Sequence, residues 1–172
     1  MKRAILLTLM IGVFCTIGRT AVGCEWIEAC GVSPAEVCKG TSQLFWGYGK
    51  GTLYVWKFGD GQSANAPVIS HTYSNPGAFR ATFEITDTVK CGHTVRAYVT
   101  ATARALTEFS PKPGIFPKCV NAGVSRDDFT ITTTPSGYEN DVVFSAPDGT
   151  SQAGTFQATA TYCNDQKTAD YT

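Results

Sequence analysis

Phe79, Ala81, Phe83 and Ile85 alternate with Arg80, Thr82, Glu84 and Thr86, the period of two that sends every second side chain to one face of a strand. The alternation recurs in 94–102, where Val95, Ala97, Val99 and Ala101 point inward, in Phe129-Thr130-Ile131-Thr132, and in Phe156, Ala158, Ala160 and Tyr162 against Gln157, Thr159 and Thr161. In Tyr54-Val55-Trp56-Lys57-Phe58 the three aromatics share a face, and Gly59-Asp60-Gly61 then stops the strand with two glycines and a short carboxylate that accepts hydrogen bonds from the turn's own N–H groups. Leu44-Phe45-Trp46 and Val142-Val143-Phe144 are shorter strand candidates, and the glycine-rich run from Gly47 to Thr52 reads as a hairpin turn. No stretch beyond the first residues carries a sustained helical period. The pattern predicts an all-β chain.

A repeat organises it further. Gly77-Ala78-Phe79-Arg80-Ala81-Thr82 matches Gly154-Thr155-Phe156-Gln157-Ala158-Thr159 in its glycine, aromatic and Ala-Thr positions, which implies two tandem immunoglobulin-like β-sandwiches. The expected boundaries are 24–103 for the first domain and 119–172 for a second, which lacks an obvious closing strand. Pro111, Pro113, Gly114 and Pro117 make 104–118 a linker or an extended edge.

The first 23 residues stand apart. Lys2 and Arg3 precede an apolar run from Ala4 to Ile17, and Ala21-Val22-Gly23 fits a small-x-small cleavage site, so residues 1–23 read as a signal peptide. The run is too short for a bilayer, which needs roughly 20 apolar residues. Its removal leaves eleven basic against fourteen acidic residues, a balance that suggests neither a nucleic-acid groove nor an acidic-substrate cleft. The composition, 43% hydrophobic and only 16% charged, with abundant Thr and aromatics, suits pleated sheets.

Of seven cysteines, Cys15 would leave with the leader; Cys24, Cys30, Cys38, Cys91, Cys119 and Cys163 would remain and meet an oxidising compartment. The repeat pairs Cys38 with Cys91 and Cys119 with Cys163, and Cys24–Cys30 follows by elimination, one of fifteen connectivities. A competing reading takes Ala21-Val22-Gly23-Cys24 as a loose lipobox, with Cys24 lipidated and the chain held at a membrane; the usual Leu three positions before the cysteine is missing.

The run Trp56-Lys57-Phe58-Gly59-Asp60-Gly61, followed by Ser63, His71-Thr72-Tyr73, Pro76-Gly77 and the alternating strand to Thr86-Asp87, resembles a PKD domain over about residues 35–103. That family usually reads Trp-Asp-Phe-Gly-Asp-Gly, so Lys57 is a departure at a position expected to face solvent, and Phe79 stands where Tyr is commoner. The second half resembles only a generic bacterial immunoglobulin-like domain. The resemblance implies a non-catalytic module for spacing, adhesion or binding to extracellular protein or polysaccharide, with no cofactor and motif residues that are structural.

Residue chemistry points the same way. There is no Gly-x-Ser-x-Gly elbow, His-Glu-x-x-His helix, Cys-x-x-Cys pair or phosphate-cradling Gly-Lys-Ser/Thr. His71 and His93 are the sole imidazoles, a zinc site wants three or four clustered ligands, and His71 is expected to make a structural hydrogen bond. Asp60, Asp87 and Asp127-Asp128 read as turn carboxylates rather than calcium ligands. Among the aromatics outside the core, Tyr48 and Tyr98 are the candidates for surface contact. The expected function is a secreted or cell-surface structural and binding protein. Two other readings are accessory domains of a secreted hydrolase, and a subunit that self-associates by strand addition.

Overall fold

The computed structural model describes residues 13–14, 16–17, 26–90, 92–119, 121–147 and 153–172. In chain order the strands are β1 (Val13–Phe14), β2 (Thr16–Ile17), β3 (Trp26–Ser33), β4 (Glu36–Cys38), β5 (Ser42–Lys50), β6 (Leu53–Lys57), β7 (Ser63–Ala64), β8 (Val68–Thr72), β9 (Gly77–Thr86), β10 (Thr94–Pro111), β11 (Phe129–Thr134), β12 (Val143–Ser145), β13 (Phe156–Tyr162) and β14 (Asp165–Tyr171). Single turns of 3₁₀ helix lie at Arg126–Asp128 and Glu139–Asp141. The described residues contain no α-helix, and so none long and apolar enough to cross a membrane.

The chain divides into two compact units. The first comprises Met1–Val37, Thr41–Tyr73 and Ala78–Thr102. One of its sheets has the order β1-β3-β5-β8; the other runs β10-β9-β6-β7, with β2 and β4 also pairing with β10. The inward residues of the two sheets meet in an aromatic core. Trp56, Phe45, Phe83 and Ile85 are fully buried, and Phe45 touches both Trp56 and Phe58 edge-on at 5.3 and 5.1 Å. Aromatic pairs favour such offset and edge geometries because the positive ring edge meets the negative face. Trp56 is thus a core residue, as the alternation through 54–58 requires.

Gly47-Tyr48-Gly49-Lys50 is the second half of β5 and not the expected hairpin turn. The alternation persists with glycine as the inward residue. A Cβ on Gly47 would lie 2.3 Å from the Phe83 ring, and one on Gly49 would lie 2.1 Å from the Trp26 carbonyl oxygen. These glycines let bulky residues of the facing sheet and the bulged start of β3 come close, while Tyr48 and Lys50 point outward. The reversal to β6 is confined to Gly51 and Thr52, where the Thr52 N–H donates to Thr86 O at 2.9 Å.

The second unit comprises Cys38–Gly40, Ser74–Gly77 and Ala103–Thr172. Within it, residues 105–111 of β10 pair with β11, and β12, β13 and β14 form an antiparallel sheet. Leu106, Phe109, Phe129, Val142, Ala158, Ala160, Tyr162 and Tyr171 make its core. Two expectations change here. The segment 104–118, expected to be a linker or an extended edge, is strand as far as Pro111, because Pro111 ends the strand and the other prolines lie beyond it. The second half also has a last strand: β14 pairs with β13 along its whole length, from Tyr162↔Asp165 to Phe156↔Tyr171.

The cysteine pairing is corrected as well. Cys38 is bonded to Cys163, with Cα atoms 5.4 Å apart, which excludes both Cys38–Cys91 and Cys119–Cys163; Cys119 is free and exposed. The cause is local to the second unit. The Lys39 N–H donates to Arg104 O, and Lys39 Nζ pairs with Asp165 at 2.6 Å. Asp165 also accepts the Leu106 N–H. The turn 38–40 is thereby held against the β13–β14 hairpin, where Cys163 takes a positive φ of 55°. Cys30 is disulfide-bonded too. Cys24, Cys91 and the expected cleavage site lie outside the described residues.

Candidate functional site

The motif residues of the first unit are tied to one another. Gly59 and Gly61 have φ of 88° and 91°, and Asp60 Oδ1 accepts the Gln62 N–H at 3.0 Å. Asp60 Oδ2 shares a 2.8 Å hydrogen bond with His71 Nε2. The imidazole stacks on Phe58 at 3.9 Å and meets the edge of Tyr73 at 4.6 Å, while the Tyr73 hydroxyl donates to Phe58 O at 2.8 Å. Burial works to raise the Asp60 carboxyl, but the Gln62 amide and the hydrogen bond and charge of His71 outweigh it and hold it below the usual range. Burial, helped by the Asp60 charge, pushes the Tyr73 phenol well up. Asp60 and His71 are thus bonded to each other, and Asp60 and Tyr73 to the backbone of the turn. His93 is exposed, apart from this group. Among the described residues no group of three or more His, Cys, Asp or Glu side chains could hold a metal ion.

Lys57 extends over the outer face of the β10-β9-β6 sheet, where its Nζ reaches Glu84 at 2.9 Å; Arg96 Nε reaches the same carboxylate at 2.7 Å. Burial would raise Glu84, yet these two bonds keep it low. A Lys fits this position because the Glu84 carboxylate lies within its reach. Asp87 accepts the Val89 and Lys90 N–H groups, both at 2.9 Å. Asp128 accepts the Ser125 N–H and bonds Lys118. Both are the turn carboxylates that the sequence suggested.

The surface candidates fall on different sheets. Tyr98, on β10, is half-buried beneath Arg80, whose guanidinium lies 3.9 Å from the ring centre. Tyr48, on β5, is 54% exposed. Around Tyr48 the outward face of the β3-β5-β8 sheet carries Leu44, Trp46 and Tyr48 in a row, with Trp46 opposite Val68 of β8. Leu44 and Val68 are 44% and 42% exposed, and the Trp46 and Tyr48 rings lie 5.7 Å apart at 35°. Trp26, 49% exposed, pairs with Lys50 at the end of the row, with Lys50 Nζ 4.9 Å from its ring centre. On β3 the residues opposite Tyr48, Trp46 and Leu44 are Ala29, Gly31 and Ser33. Small side chains beside large ones make a ridge of flat rings along one strand.

Sequence reading singled out Tyr48 alone on this face. Leu44-Phe45-Trp46 alone reads as a short apolar strand, because the glycines after it hide the continuing outward row.

The two facing sheets, the buried Trp and the locked turn define the first unit as an immunoglobulin-like sandwich. Its sequence agrees: residues 35–102 match the PKD domain family.

Proposed function

We propose that this chain is a non-catalytic, secreted or cell-surface binding module, and that the β3-β5-β8 face is the surface it presents to an extracellular polysaccharide or protein. In this reading residues 1–23 are removed on export and the two compact units that remain are displayed outside the cell. The Leu44-Trp46-Tyr48 ridge carries the proposal. Leu44 and Tyr48 are exposed beside the half-buried Trp46, an apolar row on the outer side of a well-packed sheet, and flat rings bury much area at small side-chain entropy cost. The PKD match over 35–102 and the Cys38–Cys163 bond, which suits an oxidising compartment, support the placement. Asp60, His71 and Tyr73 are engaged in bonds to one another and to the turn's backbone, which favours recognition over bond chemistry.

Screening the secreted protein on an array of polysaccharides and matrix proteins tests this. A ligand found there should lose about tenfold or more in affinity with Trp46→Ala or Tyr48→Ala, the scale of removing an aromatic anchor. Arg80→Ala, which alters the Tyr98 face, should leave it unchanged. Binding indifferent to both ridge variants would move the site elsewhere.

A further inference from the structure

β3 is paired on its β5 side from Trp26 to Ser33. On the other side its described partner is the two-residue strand β1, in register Val13↔Val32 and Phe14↔Gly31. Two residues further on, β2 pairs with β10 as Ala97↔Ile17 and Tyr98↔Thr16. Residues 13–14 therefore pair with the edge of one sheet of the first unit and residues 16–17 with a strand of the other. Those same residues lie inside the apolar run that the proposed export would remove.

Processing after Gly23 would leave only Cys24 and Glu25 ahead of Trp26, too short a segment to fold back along β3. The outward-directed N–H and C=O groups around Gly31 would then need a partner from outside the chain or water. We infer that leader removal turns the β3 edge into a self-association site, at which β3 of one processed copy pairs antiparallel with β3 of a second. The inference rests on the export reading above. The edge already accepts an antiparallel strand in this structure, and its sequence suits a two-fold centred on Gly31. In that register Cys30 faces Val32, Ala29 faces Ser33, and Glu28 faces Pro34, so no like charges oppose one another. Glu28 and Pro34, at the two ends, limit the pairing to a short central stretch.

Three measurements on the secreted and full-length chains decide it. Intact mass reports processing: a product that keeps residues 1–23 removes the premise and overturns the inference. Light scattering during size exclusion should give a dimer for 24–172 and a monomer for a chain retaining residues 1–23. A monomeric 24–172, or a dimer of both forms, overturns the self-association site alone, since processing is read separately. A 24–172 chain that is unfolded by circular dichroism also overturns it, because residues 13–17 would then be an integral strand. A peptide spanning residues 11–19, with Cys15→Ser, should dissociate the dimer; a dimer unmoved by saturating peptide places the interface elsewhere. Amide exchange at 29–33 should slow by about tenfold or more in the dimer relative to dilute monomer, and unchanged exchange there counts against the site.

Discussion

Glycine does two different jobs in the first unit, and the difference sets what substitution should cost. At Gly59 and Gly61 it supplies positive φ for the turn that presents Asp60 to His71. At Gly47 it supplies absence, since a methyl group there would enter the Phe83 ring. Gly47→Ala is therefore expected to destabilise the protein by about 1–3 kcal/mol, the usual range for overpacking a tight core, read as a lower urea midpoint at unchanged slope. The strand from 79 to 86 was legible because its alternation is written in Phe, Ala and Ile against Arg, Thr and Glu. The end of β5 was not, because the same alternation is written there in Gly against Tyr and Lys. A hydrophobicity pattern has no symbol for an inward residue whose role is to be missing, and the row of outward rings was lost with it.

Among the elements, the 38–40 turn departs most from what the sequence suggests. Equivalent cysteines in two repeats invite the reading that each repeat closes on itself. Instead Lys39 joins Arg104 and Asp165, and Cys38 reaches Cys163 across a separation of 125 residues. Both copies of the Gly-x-aromatic motif do lead into strands, β9 and β13, with neighbours on both sides. Ladder pairing and core alternation are local and readable, whereas which turn leans on which hairpin depends on long-range contacts that leave no period in the chain. Non-reducing peptide mapping should recover Cys38 linked to Cys163 and find Cys119 alkylated without reductant. Cys38→Ala with Cys163→Ala is expected to cost about 2–5 kcal/mol in denaturant titration, within the range for releasing a long loop.

For the molecule as a whole, several carboxylates are held below their ordinary range by native partners: Asp60 and Glu84 against the pull of burial, Asp87 by the Lys90 and Val89 amides, Asp128 by Lys118, and Glu139 by its own amide and Thr133. As pH falls, the unfolded chain takes up protons before the folded one does. The stability these groups contribute is complete above the ordinary carboxylate value, about pH 4, and is lost as pH drops from there through their lower folded values. Urea midpoints measured from neutral pH to about pH 2 should be flat and then fall below about pH 4, and Asp60→Asn should make the fall shallower. The Leu44, Trp46 and Tyr48 side chains of the aromatic ridge carry none of these carboxylates.

The family match begins at residue 35 and ends at 102, yet Cys38–Gly40, well inside it, belong to the second unit. A fragment trimmed to those limits would carry an orphan thiol and would deprive the β13–β14 hairpin of its anchor. The stretch that evolution copies as a module and the stretch that can be excised intact are, in this chain, different pieces of polypeptide.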